Sequence, residues 1–270
     1  MSNTLFITGA STGIGKATAL YFRAKGWNVA ATMRDPKDHQ DLRDAGVETL
    51  ALDVLQPDSI KPALDAAIAK FGRIDVLCNN AGYGTMGPFE AASREQVERQ
   101  FATNVTGLIY VTQEFLPHFR ANQSGVIINI SSVGGVCAFP LFSLYHGTKW
   151  AVEGMSESLN FELNPQGIRV KIVEPGRIAT DFAGRSLDVL QKPGLTAYDG
   201  FIDTFRKNWT TNRAPGAPPE LVAEVIWNAA TDGTSQLRYI AGDDAKLTIE
   251  TRAKISQDEY YAMIRQRMGL

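Results

Sequence analysis

The sequence has few of the residues that mark several large classes of protein. Its 270 residues include two cysteines, Cys78 and Cys137, and three histidines, with neither a disulfide framework nor a metal-ligand spacing. The formal net charge of −2 offers no electrostatic attraction to nucleic acid or to an anionic membrane. No basic leader is visible, and no stretch approaches the ~18 apolar residues of a membrane span. We therefore expect a cytoplasmic protein with no metal site, no nucleic-acid partner and no membrane span.

Short apolar runs alternate with amphipathic segments along most of the chain. The runs predict strands at Leu5–Thr8, Trp27–Met33, Val47–Val54, Ile74–Cys78, Val126–Ile130, Ile168–Val173 and Leu237–Ala241. Runs that are apolar throughout are typical of strands buried on both faces, and the segments between them have helical spacing. This order predicts an α/β fold with a doubly wound, Rossmann-like parallel sheet of about seven strands, covered by helices on both faces. Short connections leave no place to divide residues 1–270, so we expect a single domain.

One segment, residues 180–219, breaks the alternation and is rich in glycine and proline. The apolar residues inside it that fall at helical spacing are Tyr198, Phe201, Ile202, Phe205 and Trp209. They predict a helix with one apolar face. That face could pack on the core as a peripheral helix, or the whole insertion could act as a lid over an apolar ligand pocket.

A glycine-rich turn follows the first predicted strand. Gly9, Gly13 and Gly15 have the spacing Gly-x-x-x-Gly-x-Gly and lead into a predicted helix. Glycines let the backbone approach a pyrophosphate closely, and the helix N-terminus supplies unpaired N–H groups. The turn therefore predicts a nucleotide site.

The end of the second predicted strand bears on which dinucleotide is bound. An acidic residue there would bind a free ribose 2′-hydroxyl, whereas a basic residue can accommodate a 2′-phosphate. Met33 stands at the position of the acid, and Arg34 follows it. We expect NADP to be preferred, with NAD possible. A shift of register would instead bring Asp35 into play, and Arg34 would then be a solvated surface charge.

Tyr145 and Lys149 are four residues apart in a predicted helix and so share one face. A cation near a phenol favours the phenolate, so we expect Lys149 to lower the pKa of Tyr145 from its usual value near ~10. Such a pair suits proton exchange at neutral pH, although the same spacing also arises by chance on amphipathic helices. His146 follows Tyr145 directly, and we expect its side chain to lie on another face.

Several motifs, taken together and in order, resemble the short-chain dehydrogenase/reductase family over roughly residues 3–182. The matching segments are Thr8–Gly15, Asn79–Gly82, Asn104, Ser132, Tyr145 with Lys149, and Pro175–Thr180. The later segment Leu237–Ala245 is similar to the branch that contains hydroxysteroid and retinol dehydrogenases and related bacterial ketoreductases.

The resemblance implies hydride transfer between a nicotinamide and a carbonyl or secondary alcohol. It implies a catalytic tetrad: Tyr145 as general acid/base, Ser132 as donor to the substrate oxygen, Lys149 on the nicotinamide ribose, and Asn104 holding a water. Besides Tyr145 and Lys149, the implied cofactor contacts are Gly9, Ser11, Thr12, Gly13, Ile14, Gly15, Arg34, Asp53, Val54, Asn80, Ala81, Gly82, Pro175, Gly176, Ile178 and Thr180. It also implies a homodimer or homotetramer.

We expect the substrate to be a fairly apolar small molecule: a ketone, an aldehyde, or a steroid-like or retinoid-like carbonyl or alcohol. One alternative is a 3-oxoacyl thioester reductase, but a basic patch for an acidic carrier protein is not evident among the scattered Lys and Arg. Another alternative is a dinucleotide-sensing protein without catalysis. Such a sensor has no need to keep the four residues of the tetrad together.

Overall fold

Parallel strands form a seven-stranded central sheet in the computed structural model, which describes residues 2–180, 186–211 and 215–270. The strands along the chain are β1 (Thr4–Ile7), β2 (Asn28–Met33), β3 (Glu48–Ala51), β4 (Val76–Asn79), β5 (Gly84–Met86), β6 (Gly125–Ile130), β7 (Ile168–Pro175), β8 (Leu187–Val189) and β9 (Arg238–Ala241). The central sheet has the order β3-β2-β1-β4-β6-β7-β9, and each neighbouring pair is parallel. The chain winds outward from β1 to β3 and then crosses to β4, which confirms the predicted doubly wound, Rossmann-like sheet.

Helices cover both faces of this sheet because successive strand residues point to opposite sides. The helices are α1 (Gly13–Ala24), α2 (Gln40–Asp44), α3 (Ile60–Phe71), α4 (Arg94–Phe101), α5 (Gly107–Asn122), α6 (Ser143–Leu163), α7 (Asp199–Thr211), α8 (Pro219–Thr231), α9 (Asp243–Lys254) and α10 (Gln257–Met268). On β1, Leu5 and Ile7 pack in one core cluster with Phe22 of α1. Phe6 packs in the opposite cluster with Phe115 of α5, at a ring-centroid distance of 4.7 Å. Truncating any one of these three buried phenylalanines to alanine would lower the free energy of unfolding by about 3–5 kcal/mol.

The long helix that the sequence predicts between Arg94 and Phe119 is interrupted. α4 ends at Phe101, residues Ala102–Thr106 form a π-helical segment, and α5 begins at Gly107. Such a segment widens the helix locally and often occurs at functional sites. Here it carries Asn104 into the interior of the protein, where its side chain is 2% exposed.

The insertion at residues 180–219 is partly regular, and its residues 181–185 and 212–214 lie outside the described part of the chain. Its strand β8 pairs in parallel with β5 in a separate two-stranded sheet, which the sequence did not predict. Its helix α7 packs on α10. Only part of the predicted apolar face is confirmed: Phe205 is fully buried and stacks on Trp209 at 5.1 Å, whereas Phe201 is 37% exposed.

In the part of the chain that the structure describes, no helix is both long enough and apolar enough to cross a membrane. Cys78 and Cys137 are free thiols and both are buried. Burial raises the pKa of each thiol.

Candidate active site

A cleft of about 1390 Å³ opens at the carboxyl ends of the central strands. Doubly wound sheets bind their ligands at this edge. The predicted site residues in its wall are Gly9, Ser11, Thr12, Gly13, Ile14, Gly15, Arg34, Asp53, Val54, Asn80, Ala81, Gly82, Ser132, Tyr145, Lys149, Pro175, Gly176, Ile178 and Thr180. Asn104 alone among the predicted site residues is absent from that wall. The fold therefore brings together residues that are far apart in the sequence.

The turn between β1 and α1 fits a pyrophosphate group. Gly9 has a φ of 67° and Gly13 a φ of 57°, which residues with side chains rarely adopt. A Cβ on Gly15 would lie 2.5 Å from Asn80 Nδ2, so the turn leaves no room for a side chain there. Among the described residues, the first turn of α1 contains no acidic residue and no side-chain cap. Its N–H groups and positive end can therefore face an anion.

Asn80 braces this turn from the end of β4. Its Nδ2 donates hydrogen bonds to the carbonyl oxygens of Thr8 at 2.9 Å and Gly9 at 3.0 Å. The hydroxyl oxygen of Thr8 accepts in return from the N–H groups of Asn80 and Ala81, each at 3.1 Å. The amide nitrogen of Asn80 thus holds the glycine turn in shape. The side-chain contact with the cofactor that the family resemblance implies for Asn80 would have to use the side-chain oxygen.

Arg34 follows β2, and its exposed side chain lines the cleft. Met33 before it is buried, at 3% exposure. The carboxylate of Asp35 accepts a hydrogen bond from the N–H of Lys37 at 3.0 Å, which places it in a local turn. Asp53, one of the implied cofactor contacts, accepts from the N–H of Leu55 at 3.0 Å and also lines the cleft. The Arg34 guanidinium is therefore a positive charge in the cleft wall directly after the end of β2.

Ser132, Tyr145 and Lys149 meet in the middle of the cleft. Ser132 lies two residues after Ile130, the last residue of β6. Its hydroxyl oxygen accepts from the N–H of Gly134 at 3.0 Å, and the hydroxyl is hydrogen-bonded to that of Tyr145. Lys149 lies one turn after Tyr145 on α6, with its Nζ 5.8 Å from the Tyr145 ring centroid. That Nζ donates to the carbonyl oxygen of Ile130 at 2.8 Å. A pair of bonded hydroxyls therefore stands beside an ammonium group.

The ionisation of Tyr145 differs from the sequence-based expectation. Burial raises the pKa of Tyr145 to about 12, and the hydrogen bond with Ser132 offsets only part of that rise. Burial also lowers the pKa of Lys149 to about 8, against the opposing effect of the Glu153 charge. The expectation that Lys149 holds the Tyr145 pKa below its usual value is therefore wrong for this structure, because desolvation of the phenolate dominates. At pH 7 Tyr145 is a neutral phenol, the form that can donate a proton.

The side chain of Asn104 makes its hydrogen bonds to other residues of the protein and does not line the cleft. Its Oδ1 accepts from the N–H of Tyr83 at 3.0 Å, and its Nδ2 donates to the Tyr83 carbonyl at 2.9 Å. The same Nδ2 donates to the Thr148 hydroxyl at 3.1 Å. Asn104 thus ties the loop after β4 to α6, one residue before Lys149. The water that the family resemblance assigns to it stays a prediction.

His146 lines the same cleft as Tyr145, although the two residues point in different directions from α6. Its Nδ1 accepts from the N–H of Phe139 at 3.4 Å, and burial lowers its pKa to about 4. The ring is therefore neutral at pH 7, and the bond at Nδ1 places the remaining proton on Nε2. Adjacent helical residues differ by ~100° in direction, but this cleft curves around the start of α6 and reaches both.

Aromatic and apolar side chains form the wall beyond Tyr145. The Phe142 ring lies 6.5 Å from Tyr145 and 5.7 Å from Trp209, between ring centroids. Phe139 lies 5.7 Å from His146. Sequence reasoning found Trp209 but missed Phe139 and Phe142, because the loop before α6 has no periodic pattern that would mark them. An apolar wall beside a few polar groups is typical of small-molecule sites.

Comparison with known proteins gives a consistent result. A family model described as short chain dehydrogenase matches residues 3–189. An uncharacterised oxidoreductase of Schizosaccharomyces pombe is 41% identical over 244 residues, which cover 88% of this chain and 100% of that protein. A 3-ketodihydrosphingosine reductase of Bacteroides thetaiotaomicron is 38% identical over 203 residues, covering 75% of this chain and 74% of that protein. A solved short-chain dehydrogenase from Streptomyces avermitilis is 31% identical, with a TM-score of 0.82 over 98% of this chain and 95% of that one.

Proposed function

The chain belongs to the short-chain dehydrogenase family and is an NAD(P)-dependent dehydrogenase or reductase, and from this premise we propose its reaction and its substrate class. It transfers a hydride between NADP and the carbonyl or secondary alcohol group of a fairly apolar small molecule, with Tyr145 as general acid/base. The observation that carries this proposal is the bonded hydroxyl pair of Ser132 and Tyr145 beside Lys149 in the cleft. The nicotinamide, when bound, supplies the hydride, which side chains cannot supply.

The side chains of the site account for the proton transfer. In reduction, the neutral phenol of Tyr145 donates its proton to the carbonyl oxygen as negative charge develops there. A phenol with a pKa of about 12 is still a stronger acid than water or an alcohol, so this transfer is favourable. Ser132 donates a hydrogen bond to the same oxygen and holds it within reach of Tyr145. The Lys149 ammonium then stabilises the phenolate that remains. In oxidation the same groups act in reverse.

The wall beyond Tyr145 supports an apolar ketone or aldehyde, including steroid-like and retinoid-like molecules. Phe139, Phe142, Phe205 and Trp209 all line the cleft next to the proposed proton donor. The name of the Bacteroides thetaiotaomicron relative, a reductase of a keto compound, also supports a ketone. An NADPH-oxidation assay against apolar ketones, aldehydes, steroids, retinoids and 3-oxoacyl thioesters tests this class. Turnover confined to the thioesters, or no turnover with any carbonyl, would contradict it.

We propose that Arg34 selects NADP, and we predict that Arg34→Ala raises the KM for NADPH about 10- to 100-fold. This corresponds to the ~1.5–3 kcal/mol of a hydrogen bond to a charged group. The KM for NADH should change little, because that cofactor has no 2′-phosphate. Steady-state kinetics with both cofactors measures the two effects. Arg94→Ala is the matched control, since the Arg94 side chain is 92% exposed and lies outside the cleft wall. Equal effects of Arg34→Ala on both cofactors would refute the phosphate role.

We propose that the insertion at residues 180–219 covers the substrate. Asp188 on its strand β8 contacts two residues of α4: it accepts a hydrogen bond from the Gln96 side chain at 2.9 Å and forms a salt bridge with Arg99. Its helix α7 contributes Phe205 and Trp209 to the wall of the cleft. Because Phe205 is fully buried, its removal would leave a cavity and disturb folding. Trp209, which is only partly buried, is the better probe.

Trp209→Ala is expected to raise the KM for an apolar ketone roughly 10-fold or more while leaving the NADPH KM nearly unchanged. Burying an aromatic side chain of this size against a ligand is worth about 1.5–3 kcal/mol. Phe161→Ala serves as the control, because Phe161 lies late on α6 and is 75% exposed. Unchanged ketone kinetics would mean that α7 only packs on the core.

The predicted homodimer or homotetramer and the cytoplasmic location stay predictions. Exposed aromatic residues on α4, α5 and α6, namely Phe101, Tyr110 and Trp150, support an assembly that covers them. Light scattering after size-exclusion chromatography would measure the assembly. The two free thiols suit a reducing compartment.

A further inference from the structure

A buried polar cluster lies behind the proposed catalytic residues. It contains Glu153 on α6 and Glu174 on β7, which are 5% and 1% exposed. Both approach the same guanidinium: Arg238 Nε on β9 lies 3.1 Å from Glu153 Oε2 and 3.4 Å from Glu174 Oε1. Arg238 also binds Glu157 at the surface, with Nη2 2.8 Å from Glu157 Oε2. The buried carboxyl groups therefore have less positive charge beside them than two ionised carboxylates require.

The contacts of this cluster indicate a proton between the two carboxyl groups. Glu153 Oε2 and Glu174 Oε1 lie 3.1 Å and 3.4 Å from the same nitrogen, Arg238 Nε, so two buried carboxyl groups face one N–H group of a single cation. A proton on one of the two carboxyl groups removes the repulsion between them. In the described part of the chain, Oε1 of Glu153 and Oε1 of Glu174 are buried without a hydrogen-bond partner, as is the hydroxyl oxygen of Ser131. Leaving a buried acceptor without a donor costs ~1–3 kcal/mol. A protonated carboxyl group in the pair would provide an O–H donor for one of these buried oxygens.

The pair is also poised to lose this proton near neutral pH. Burial, together with the neighbouring Glu153 charge, raises the pKa of Glu174 to about 7, against the opposing charge of Arg238. Two carboxyl groups that share a site commonly have one strongly raised pKa for the same reason.

Glu153 connects this cluster to Lys149. It follows Lys149 by one turn of α6, and its negative charge favours the charged form of the ammonium. The end of β6 lies near both groups. The Ile130 carbonyl accepts from Lys149 Nζ at 2.8 Å, and the next residue, Ser131, stands with Glu153 around Gly135. A Cβ on Gly135 would lie 3.1 Å from Glu153 Oε1 and closer still to the Ser131 hydroxyl.

We propose that Glu153 and Glu174 share one proton behind the active site, and that Glu153 acts as a positioning residue that keeps Lys149 charged. As the pH rises through neutrality, the pair loses the shared proton and then carries two negative charges. The added negative charge stabilises the protonated form of Lys149, so Lys149 loses its proton only at a higher pH. Arg238 opposes this effect, and the exposed Glu157 partly neutralises Arg238. The catalytic consequence rests on the proposed function, in which Lys149 stabilises the Tyr145 phenolate. The ionisation itself does not depend on any substrate.

Titration of Lys149 by NMR tests the proposal directly. The protein is labelled with ¹³C at lysine Cε, and the Lys149 signal is identified by its loss in Lys149→Arg. We expect a wild-type midpoint near pH 8. Glu153→Gln should lower that midpoint by about one pH unit, because an opposite charge close to an ionisable group typically shifts its pKa by ~1 unit or more. Glu174→Gln should lower it less, since Glu153 keeps its charge. Glu157→Gln is the matched control, because Glu157 lies on the same helix and pairs with the same arginine but is 53% exposed; it should move the midpoint far less than Glu153→Gln does.

A Glu153→Gln midpoint equal to that of the wild type would overturn the proposal, and so would an equally large shift in Glu157→Gln. Because no substrate is used, this failure is separate from failure of the proposed reaction, which Tyr145→Phe tests. If Lys149 titrates as expected but Tyr145→Phe retains activity, the charge coupling stands and the assigned reaction does not.

A second measurement does not require Glu153 to be replaced. The pKa of Glu174 rises from 4.5 to about 7 on folding, so the native state binds more protons than the unfolded state in this window. The free energy of unfolding should therefore fall as the pH rises through that window and level off above it. Glu174→Gln, which resembles the protonated carboxyl, removes this dependence. Urea unfolding at several pH values should show a difference between the two proteins that grows with pH, and a constant difference would overturn the shared proton.

Discussion

Tyr145→Phe is expected to lower kcat for ketone reduction about 10²- to 10⁴-fold, the range that a general acid contributes. The substitution removes the hydroxyl that donates the proton and that pairs with Ser132. It leaves the ring in place against Phe142 and His146, whose centroids lie 6.5 Å and 6.1 Å away. The dissociation constant for NADPH, measured by fluorescence titration, should therefore stay close to the wild-type value.

The control for this experiment is Tyr110→Phe, which removes a hydroxyl from α5 at a side chain that is 43% exposed. It should leave kcat unchanged. Wild-type rates in Tyr145→Phe, with NADPH still bound, would rule out Tyr145 as the acid. A parallel loss of NADPH binding would show instead that the hydroxyl supports the cofactor site.

The second large effect is expected for Gly15→Ala in the turn after β1. The added Cβ would meet Asn80 Nδ2 at 2.5 Å, the Cα of Ala10 at 2.9 Å, and the Gly9 carbonyl at a still shorter distance. The backbone must shift, and the bonds from Asn80 to Thr8 and Gly9 are strained or lost. Overpacking of this kind costs about 1–3 kcal/mol. We expect NADPH to bind roughly 10- to 100-fold more weakly and the Tm to fall.

Gly154→Ala provides the matched control. Gly154 lies within α6, and a Cβ there would meet no atom within 4 Å. Alanine in a helix interior is favoured over glycine by about 0.5–1 kcal/mol, so the Tm should rise slightly and NADPH binding should not change. If Gly15→Ala binds NADPH as tightly as the wild type, the turn does not hold the pyrophosphate in the proposed way.

The architecture could be predicted because its signals are local. Apolar runs such as Ile74–Cys78 need only to be buried on both faces to become parallel strands, and the structure contains β4 at that place. The three-residue strands β5 and β8 could not be predicted, because three residues contain no periodicity. The π-helical turn at Ala102–Thr106 was missed for a related reason: one extra residue in a long helix hardly disturbs an apolar pattern.

Many of the residues that line the cleft could be predicted from the sequence, but their electrostatics could not. The spacing of Tyr145 and Lys149 correctly placed them on one helix face of the cleft. The predicted direction of the Tyr145 pKa shift was wrong. The sequence spacing shows that a charged lysine is near Tyr145, but it does not show how deeply the phenol is buried. Desolvation comes from every atom packed around the hydroxyl, including those of other elements.

By itself the sequence determined the order along the chain of the strands of the central sheet, the glycine turn at Gly9–Gly15, and the presence of residue types suited to proton transfer. Only the tertiary structure decided that Tyr145 is a neutral phenol, that His146 lines the cleft, and that Glu153 meets Arg238 across 85 residues of sequence. The reason is physical. Turns and periodicity act over a few residues, whereas burial and charge coupling depend on which distant segments the packed sheet brings into contact.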